Sequence, residues 1–123
     1  MMILGVGVDI AKLDRINKSY RRFGERFVNR VLGEKEQKLL AKQSRPIQFL
    51  AGRFAGKEAL IKALGTVLQN RPRWCDMQIL PDSSGVPRIE LASADPCLKD
   101  VRYHVSISHE HDFAVAMVVI ESD

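Results

Sequence analysis

The segment "GRFAGKEALIKALG", residues 52–65, constrains the fold more than any other part of the chain. On a helical wheel Phe54, Ile61 and Leu64 lie on one side, and three alanines lie on a second side. A helix that is apolar or small nearly all round is normally buried. The pattern therefore predicts a long buried helix that begins near Pro46 and ends at Leu64, with Gly65 as its cap. Four ionisable residues inside it need an explanation: Arg53, Lys57, Glu58 and Lys62.

The rest of the chain separates into a helical part and a strand-rich part. "MILGVGVD" predicts a buried strand that ends at Asp9, followed by helices from Lys12 to Phe23 and from Glu34 to Lys42. After residue 75, "MQILP", "VPRIEL", "RYHVSISH" and "FAVAMVVIE" predict four strands, and "SADPCLKD" predicts a short helical turn. This segregation favours an α+β fold with an antiparallel sheet packed on the long helix.

Length and composition predict one domain over residues 1–123. Hydrophobic residues make up 46% of the chain, enough for a core, and no apolar run is long enough to cross a bilayer. "MMILGVGVDI" lacks a basic leader and a cleavage site, so we expect a soluble protein of the cytoplasm. Cys75 and Cys97 form no C-x-x-C pair, and we expect neither zinc nor a disulfide.

Positive charge is concentrated near the start of the chain. Residues 12–30 hold seven basic side chains against Asp14 and Glu25, with apolar residues recurring every three or four positions. The basic residues are Lys12, Arg15, Lys18, Arg21, Arg22, Arg26 and Arg30. A solvated surface and a docking face for a polyanion or an acidic protein are both open interpretations.

Two carboxylates sit in predominantly apolar elements and require partners. Asp9 follows an apolar strand and Glu58 lies in the long helix; if they meet, a cation between them would relieve their repulsion. Mg²⁺ suits two carboxylates completed by waters and phosphates, and Lys62 lies one turn from Glu58, within reach of the same phosphate. Arg53 and Lys57 form a second cationic pair. Alternatively, Glu58 and Lys62 form an ion pair, and Asp9 caps the following helix.

The motifs "GVGVDI", "GRFAGKEALIKALGT" and "VSISHEHDFAVAMVVIE" resemble the single-domain holo-acyl-carrier-protein synthases of the 4'-phosphopantetheinyl transferase superfamily. The resemblance extends over essentially the whole chain. It implies the fold of that superfamily and Mg²⁺-dependent transfer of 4'-phosphopantetheine from coenzyme A to a serine of apo acyl carrier protein, in support of fatty acid biosynthesis. Adenosine 3',5'-bisphosphate would be released. It also implies a homotrimer with active sites at the subunit interfaces.

The resemblance also implies roles for individual residues. Asp9 and Glu58 would bind Mg²⁺, and these two with Lys62 would be catalytic, Lys62 contacting the pyrophosphate. The residues expected to bind coenzyme A are Arg45, Arg53, Lys57, Lys62, Gly65, Thr66 and His109. The first helix would dock the acidic carrier protein through Arg15, Lys18, Arg22 and Arg26. His109 has a second interpretation as a turn residue satisfied by backbone, and His104 and His111 are expected to be structural or solvated.

Three positions depart from the family pattern. Ala11 stands where two-domain relatives carry a second acidic residue, so a water would replace that ligand. Val67 replaces the second glycine of a G-T-G sequence that follows the long helix, and Gly33 replaces a helix-capping Thr. The serine would attack the β-phosphate of coenzyme A, and Glu58, a metal-bound hydroxide and Lys62 all remain candidates for the base.

Two other classes of function compete with this one. The isoelectric point near 9.3 and the arginine-rich helix are typical of a small nucleic-acid-binding module. Against it, aromatic residues are only 7%, and no predicted strand carries an aromatic platform. The third class is a protein that binds coenzyme A without catalysis. We expect no nucleic-acid or membrane partner.

Overall fold

The first and last strands of the chain lie side by side in the computed structural model, which describes all residues 1–123. In chain order the elements are β1 (Met2–Lys12), α1 (Leu13–Phe23), α2 (Glu25–Val31), α3 (Glu34–Leu40), α4 (Pro46–Leu64), β2 (Met77–Pro81), β3 (Pro87–Leu91), β4 (Val101–His109) and β5 (Phe113–Ser122). Two short 3₁₀ turns, Trp74–Asp76 and Pro96–Leu98, precede β2 and β4. No helix is both long and apolar enough to span a membrane.

The strands form two antiparallel sheets. β5 pairs with β1 on one side and with β4 on the other, giving a three-stranded sheet in the order β1-β5-β4. β2 and β3 form a separate hairpin. The expected α+β fold with antiparallel strands is therefore confirmed, with the strands divided between two sheets.

Helix α4 packs on the inner face of the three-stranded sheet through very close backbone contact. A Cβ added at Gly7 would overlap the carbonyl group of Ala59, and one added at Gly5 would overlap that of Ala63. Glycine is needed at these positions because no side chain fits between strand and helix. The contact fixes β1 against the C-terminal half of α4.

The outer face of the same sheet is apolar and exposed. Val6, Val8 and Ile10 of β1 are 54–60% exposed, while Val115 and Met117 of β5 are 38% and 48% exposed. Along β5 the inward positions are the small or aliphatic Ala114, Ala116, Val118 and Ile120, which are fully buried. The alternation follows the two-residue period of a strand. One face of the sheet thus forms the core, and the other has no partner within the chain.

The predicted helices form, with changes at their ends. α4 runs from Pro46 to Leu64 as expected, and Gly65 caps it at φ −60°, an ordinary helical value. The basic helix is followed by a second helix, α2, which was not predicted; Gly24, at φ 55°, separates the two. α3 ends two residues before the predicted Lys42.

The strand predictions are confirmed to within a residue, apart from β1. β1 continues three residues past Asp9, because β5 runs alongside it as far as the pairing of Lys12 with Phe113. Asp9 therefore lies inside the strand, opposite Ala116, and the expectation that it ends the strand is wrong.

Candidate active site

Asp9 of β1 and Lys62 of α4 form the polar contact between strand and helix. Lys62 Nζ donates to Asp9 Oδ1 at 3.1 Å and to the Val8 carbonyl oxygen at 2.9 Å. The Asp9 side chain is 18% exposed and that of Lys62 is 53% exposed. The pair is therefore ordered by the fold yet open to a ligand from solvent.

Glu58 lies one helical turn before Lys62 on the same face of α4. No ion pair joins Glu58 to Lys62; the lysine pairs with Asp9 instead. Asp9 does not cap α1 either, since the cap position is Lys12 and no side chain bonds there. Neither of the simpler interpretations of these residues occurs: the Lys62 ammonium group contacts the carboxylate of Asp9, and Glu58 lies one turn away along α4.

The structure contains no cluster of three or more His, Cys, Asp or Glu side chains in a metal-binding arrangement. Asp9 of β1 and Glu58, one helical turn before Lys62 on α4, are the carboxylates expected to serve as ligands. That donor set is too small for a closed all-protein site, but it fits a Mg²⁺ ion that keeps its waters and shares substrate phosphates.

A cavity of about 310 Å³ adjoins Lys62 and Gly65 at the end of α4. Its other lining residues are Ile61, Leu64, Leu68, Gln69, Asn70, Arg71 and Pro72. Thr66 stands beside it, and its hydroxyl donates to the Leu4 carbonyl oxygen at 2.6 Å. The predicted residues Lys62, Gly65 and Thr66 are thus brought together, and Gln69, Asn70 and Arg71 are additions that no motif indicated.

Arg45, Arg53 and His109 meet at the other end of α4, around a cavity of about 270 Å³. Arg53 Nε donates to the Ile79 carbonyl oxygen at 3.2 Å, and its guanidinium lies 4.2 Å from the centre of the Phe49 ring. Burial lowers the pKa of Arg53, opposed by the charge of Glu36. An adjoining cavity of about 390 Å³ is lined by Arg45, His109 and His111.

His109 projects from β4 onto α4 at Gly52, where an added Cβ would lie 2.7 Å from its Nε2. Burial lowers the pKa of His109; a hydrogen bond with the Gln48 backbone raises it, and the charge of Arg53 lowers it further. Ten residues of helix separate Gly52 from Lys62, about 15 Å along the axis. The two cationic clusters of one chain are therefore well apart.

Lys57 requires a correction. Its side chain is fully buried, and Nζ donates to Glu36 Oε1, to the Val31 carbonyl oxygen and to the Trp74 carbonyl oxygen. Burial lowers the pKa of Lys57, opposed by Glu36. An ammonium group with three acceptors has no donor left for a phosphate, so we remove Lys57 from the predicted coenzyme A set.

Sequence reasoning missed Glu36, the buried partner of this lysine. One signal was present: Glu36 is the third helical residue after Gly33, the position from which a glutamate reaches back to the N-cap amide. That signal indicates a cap and carries no information on a partner 21 residues away.

The predicted docking residues lie on the exposed surface of α1 and α2. Arg15, Lys18, Arg22 and Arg26 are all exposed. Lys18 pairs with Asp14 at 3.3 Å between two largely exposed side chains, a contact that is weak in water. Arg22 lies over the ring of Phe23. The basic surface is therefore available to a partner.

Comparison with known proteins gives a consistent result. A family model described as the 4'-phosphopantetheinyl transferase superfamily matches residues 5–118. The chain is 43% identical to a holo-[acyl-carrier-protein] synthase of Geobacillus sp. (strain WCH70) over 98% of both chains. A crystal structure of a holo-(acyl-carrier-protein) synthase from Bacillus anthracis in complex with CoA (3',5'-ADP) is 38% identical, with a TM-score of 0.83 over 100% of both chains. The Neisseria meningitidis enzyme has a TM-score of 0.86 at 34% identity, covering 98% of this chain and 100% of that one.

Proposed function

The chain belongs to the 4'-phosphopantetheinyl transferase superfamily, and we infer from this that it is a holo-acyl-carrier-protein synthase. It transfers the 4'-phosphopantetheine group from coenzyme A to a serine of apo acyl carrier protein, giving holo acyl carrier protein and adenosine 3',5'-bisphosphate. The domain spans residues 1–123. In this role it supports fatty acid biosynthesis, and we assign it to the cytoplasm, where its carrier protein acts.

The contact of Lys62 with Asp9, on the helix face that also bears Glu58, is the single observation that carries the mechanism. Asp9 and Glu58 would hold Mg²⁺, which supplies charge neutralisation on the pyrophosphate oxygens when bound. In its presence Lys62 would exchange its bond to Asp9 for one to a phosphate. Its exposure of 53% leaves it free to do so.

Lys62 has a defined role in the transfer step. The serine oxygen attacks the β-phosphorus of coenzyme A, and the bond from that phosphorus to the bridging oxygen breaks. Negative charge develops on the departing bisphosphate, where the Lys62 ammonium stabilises it. The proton of the serine passes to a base, for which Glu58 and Lys62 in its neutral form are the candidates among the residues of this chain.

Arg45, Arg53 and His109 would bind the 3'-phosphate of the nucleotide. The 3'- and 5'-phosphates of coenzyme A sit on one ribose, much closer together than the roughly 15 Å that separates the clusters within a chain. One bound nucleotide would therefore use Lys62 of one subunit and the arginine-histidine cluster of another. This argues for active sites at subunit interfaces.

The exposed outer face of the three-stranded sheet supports the homotrimer. Five branched or flexible apolar side chains there are 38–60% exposed: Val6, Val8, Ile10, Val115 and Met117. A contiguous apolar patch of this kind on a small protein is typical of a protein interface. We propose that three copies bury it together.

The basic residues of α1 and α2 would dock the acidic carrier protein, since their charges are exposed to solvent. No observation favours the nucleic-acid-binding alternative. It gives Asp9 and Glu58 no role, and the family to which the chain belongs has a different activity.

One assay tests the proposed function. The protein is incubated with coenzyme A, Mg²⁺ and apo acyl carrier protein, and the carrier is weighed by mass spectrometry. We expect a phosphopantetheine adduct that is absent without Mg²⁺ and absent when the acceptor serine is replaced by alanine. Nucleotide binding without an adduct would overturn the transferase assignment, and an adduct formed equally well in excess chelator would overturn the role of the metal.

A further inference from the structure

An ion pair that the proposed mechanism does not use lies at the centre of the molecule. Glu36 of α3 and Lys57 of α4 are both 0% exposed, and Lys57 Nζ lies 2.5 Å from Glu36 Oε1. Lys57 also donates to the Val31 carbonyl oxygen, and to that of Trp74 at 3.1 Å. All three of its donors are therefore committed inside the protein.

Glu36 is equally committed. Its Oε1 accepts from the Gly33 backbone amide at 2.9 Å, and its Oε2 accepts from the Ile79 amide at 2.9 Å. No buried side-chain nitrogen or oxygen in the structure lacks a partner. The pair is a closed network that joins the end of α2, the start of α3, α4, the Trp74 turn and β2.

The location of this network relates it to function. Helices α1 and α2, residues 13–31, carry the proposed docking surface and are called the α1–α2 arm below. Val31 is the last residue of this arm. Lys57 immediately precedes Glu58 on the helix that carries the proposed catalytic residues. Aromatic rings follow the same route: Phe27 of α2 stacks on Phe54 of α4 with centroids 6.4 Å apart, and Phe54 contacts the tilted ring of Trp74 at 5.1 Å. The pair thus connects the arm to the catalytic helix.

Stability alone is a poor reason for a buried ion pair. Removing two charges from water is expensive, and replacing such a pair by apolar residues of similar size is often neutral or stabilising. Apolar replacements do not reproduce the directional hydrogen bonds of the pair. Five such bonds fix the relative positions of the joined elements, whereas apolar contacts allow those elements to shift against one another.

We propose that Glu36 and Lys57 are a positioning pair, which fixes the α1–α2 arm relative to Glu58 and Lys62 so that a docked serine arrives in line with the β-phosphate. This rests on the proposed function. A carrier protein bound to a displaced arm would dock as tightly as before and react more slowly, since a misplacement of about 1 Å can cost about 100-fold in rate. The inference therefore predicts an effect on kcat that spares KM.

The test uses Glu36→Leu/Lys57→Met, which removes both charges and keeps the volume. We expect it to fold with a lowered thermal midpoint, because the buried amides of Gly33 and Ile79 lose their acceptor, and the kinetics are therefore measured well below that midpoint. Its kcat for apo acyl carrier protein should fall 10- to 100-fold, while KM for the carrier and the dissociation constant for coenzyme A stay within twofold. The matched control is Lys35→Met/Glu90→Leu, which removes the exposed pair joined at 3.3 Å and should retain full kcat.

A folded double variant with wild-type kcat would overturn the inference, as would one whose KM rises as much as its kcat falls. Should the double variant not fold, Glu36→Asp takes its place: it keeps the charge and shortens the reach by one methylene. For this variant too, kcat should fall while KM for the carrier stays within twofold. Absence of transfer by the wild type itself would instead count against the proposed function.

Discussion

Among single residues, Glu58 tests the proposed chemistry most directly. Glu58→Gln keeps the shape of the side chain and removes the charge expected to face Mg²⁺. We expect kcat to fall about 100-fold or more, the usual effect of losing one electrostatic group at a reacting centre. The measurement is steady-state transfer at saturating Mg²⁺, with Glu34→Gln, whose side chain is 87% exposed on α3, as the control. Near-normal transfer by Glu58→Gln would refute the metal assignment.

His109 gives a prediction about pH. Burial lowers the pKa of its imidazole in the free protein, which is therefore mostly neutral near pH 7. A bound phosphate favours the protonated ring and raises that pKa, so binding takes up a proton between the two values. The affinity for adenosine 3',5'-bisphosphate should accordingly increase as the pH falls from about 8 to about 6.5.

Calorimetric titrations across this range check the prediction. His109→Gln should bind more weakly and lose most of the pH dependence, whereas His104→Gln, on the opposite face of the sheet, should retain it. An unchanged slope in His109→Gln would indicate that the turn interpretation of this residue is correct.

Helix α1 is the element expected to recognise the carrier protein. Reversing Arg15 and Arg22 to Glu should raise KM for acyl carrier protein about 10-fold at low salt, and less at high salt, because exposed charges are screened. KM for coenzyme A should hardly change, since its proposed site is on α4. The control reverses Lys42 and Lys99, which are also exposed but lie outside the arm. A parallel rise of both Michaelis constants would exclude docking as the explanation.

Because β1 lies so close to α4, we expect one methyl group added at Gly7 to lower the stability of the protein. Gly7→Ala places a Cβ against the backbone of Ala59, which cannot rotate away as a side chain could. We expect the free energy of unfolding to fall by about 1–3 kcal/mol, the usual cost of overpacking. Urea titration measures it, and Lys42→Ala, at an exposed position outside the sheet, serves as the control. An unaltered midpoint in Gly7→Ala would mean that β1 and α4 are further apart than described.

The elements were predictable from sequence where the pattern is local. α4 follows from Pro46, the buried apolar positions and Gly65, all within one segment. The break at Gly24 was missed because the basic, amphipathic pattern continues across it into α2. The inward turn of Lys57 was missed for another reason: its partner is 21 residues away, and only the tertiary fold decides whether a lysine in a helix faces water or a carboxylate.

At the level of the whole molecule, the sequence left open whether "FAVAMVVIE" serves a core or an interface. The structure assigns one role to each face: alanines pack inward on α4, while Val115 and Met117 point outward and stay exposed. Alternation at a period of two could have indicated the two faces. It does not reveal which face has a partner, because both are apolar.

The proposed sharing of active sites between subunits leads to a test by mixing. Glu58→Gln and Arg45→Glu each remove one half of a site and should be inactive alone. When the two are denatured together and refolded at equal concentrations, sites assembled from two subunits should regain about one quarter of wild-type activity, since half of each contributing position is intact. Sites contained in one chain would regain nothing, because every chain then carries a defect. Refolding each variant separately and mixing afterwards, without exchange of subunits, is the control, and the absence of any recovery after joint refolding would contradict interface active sites.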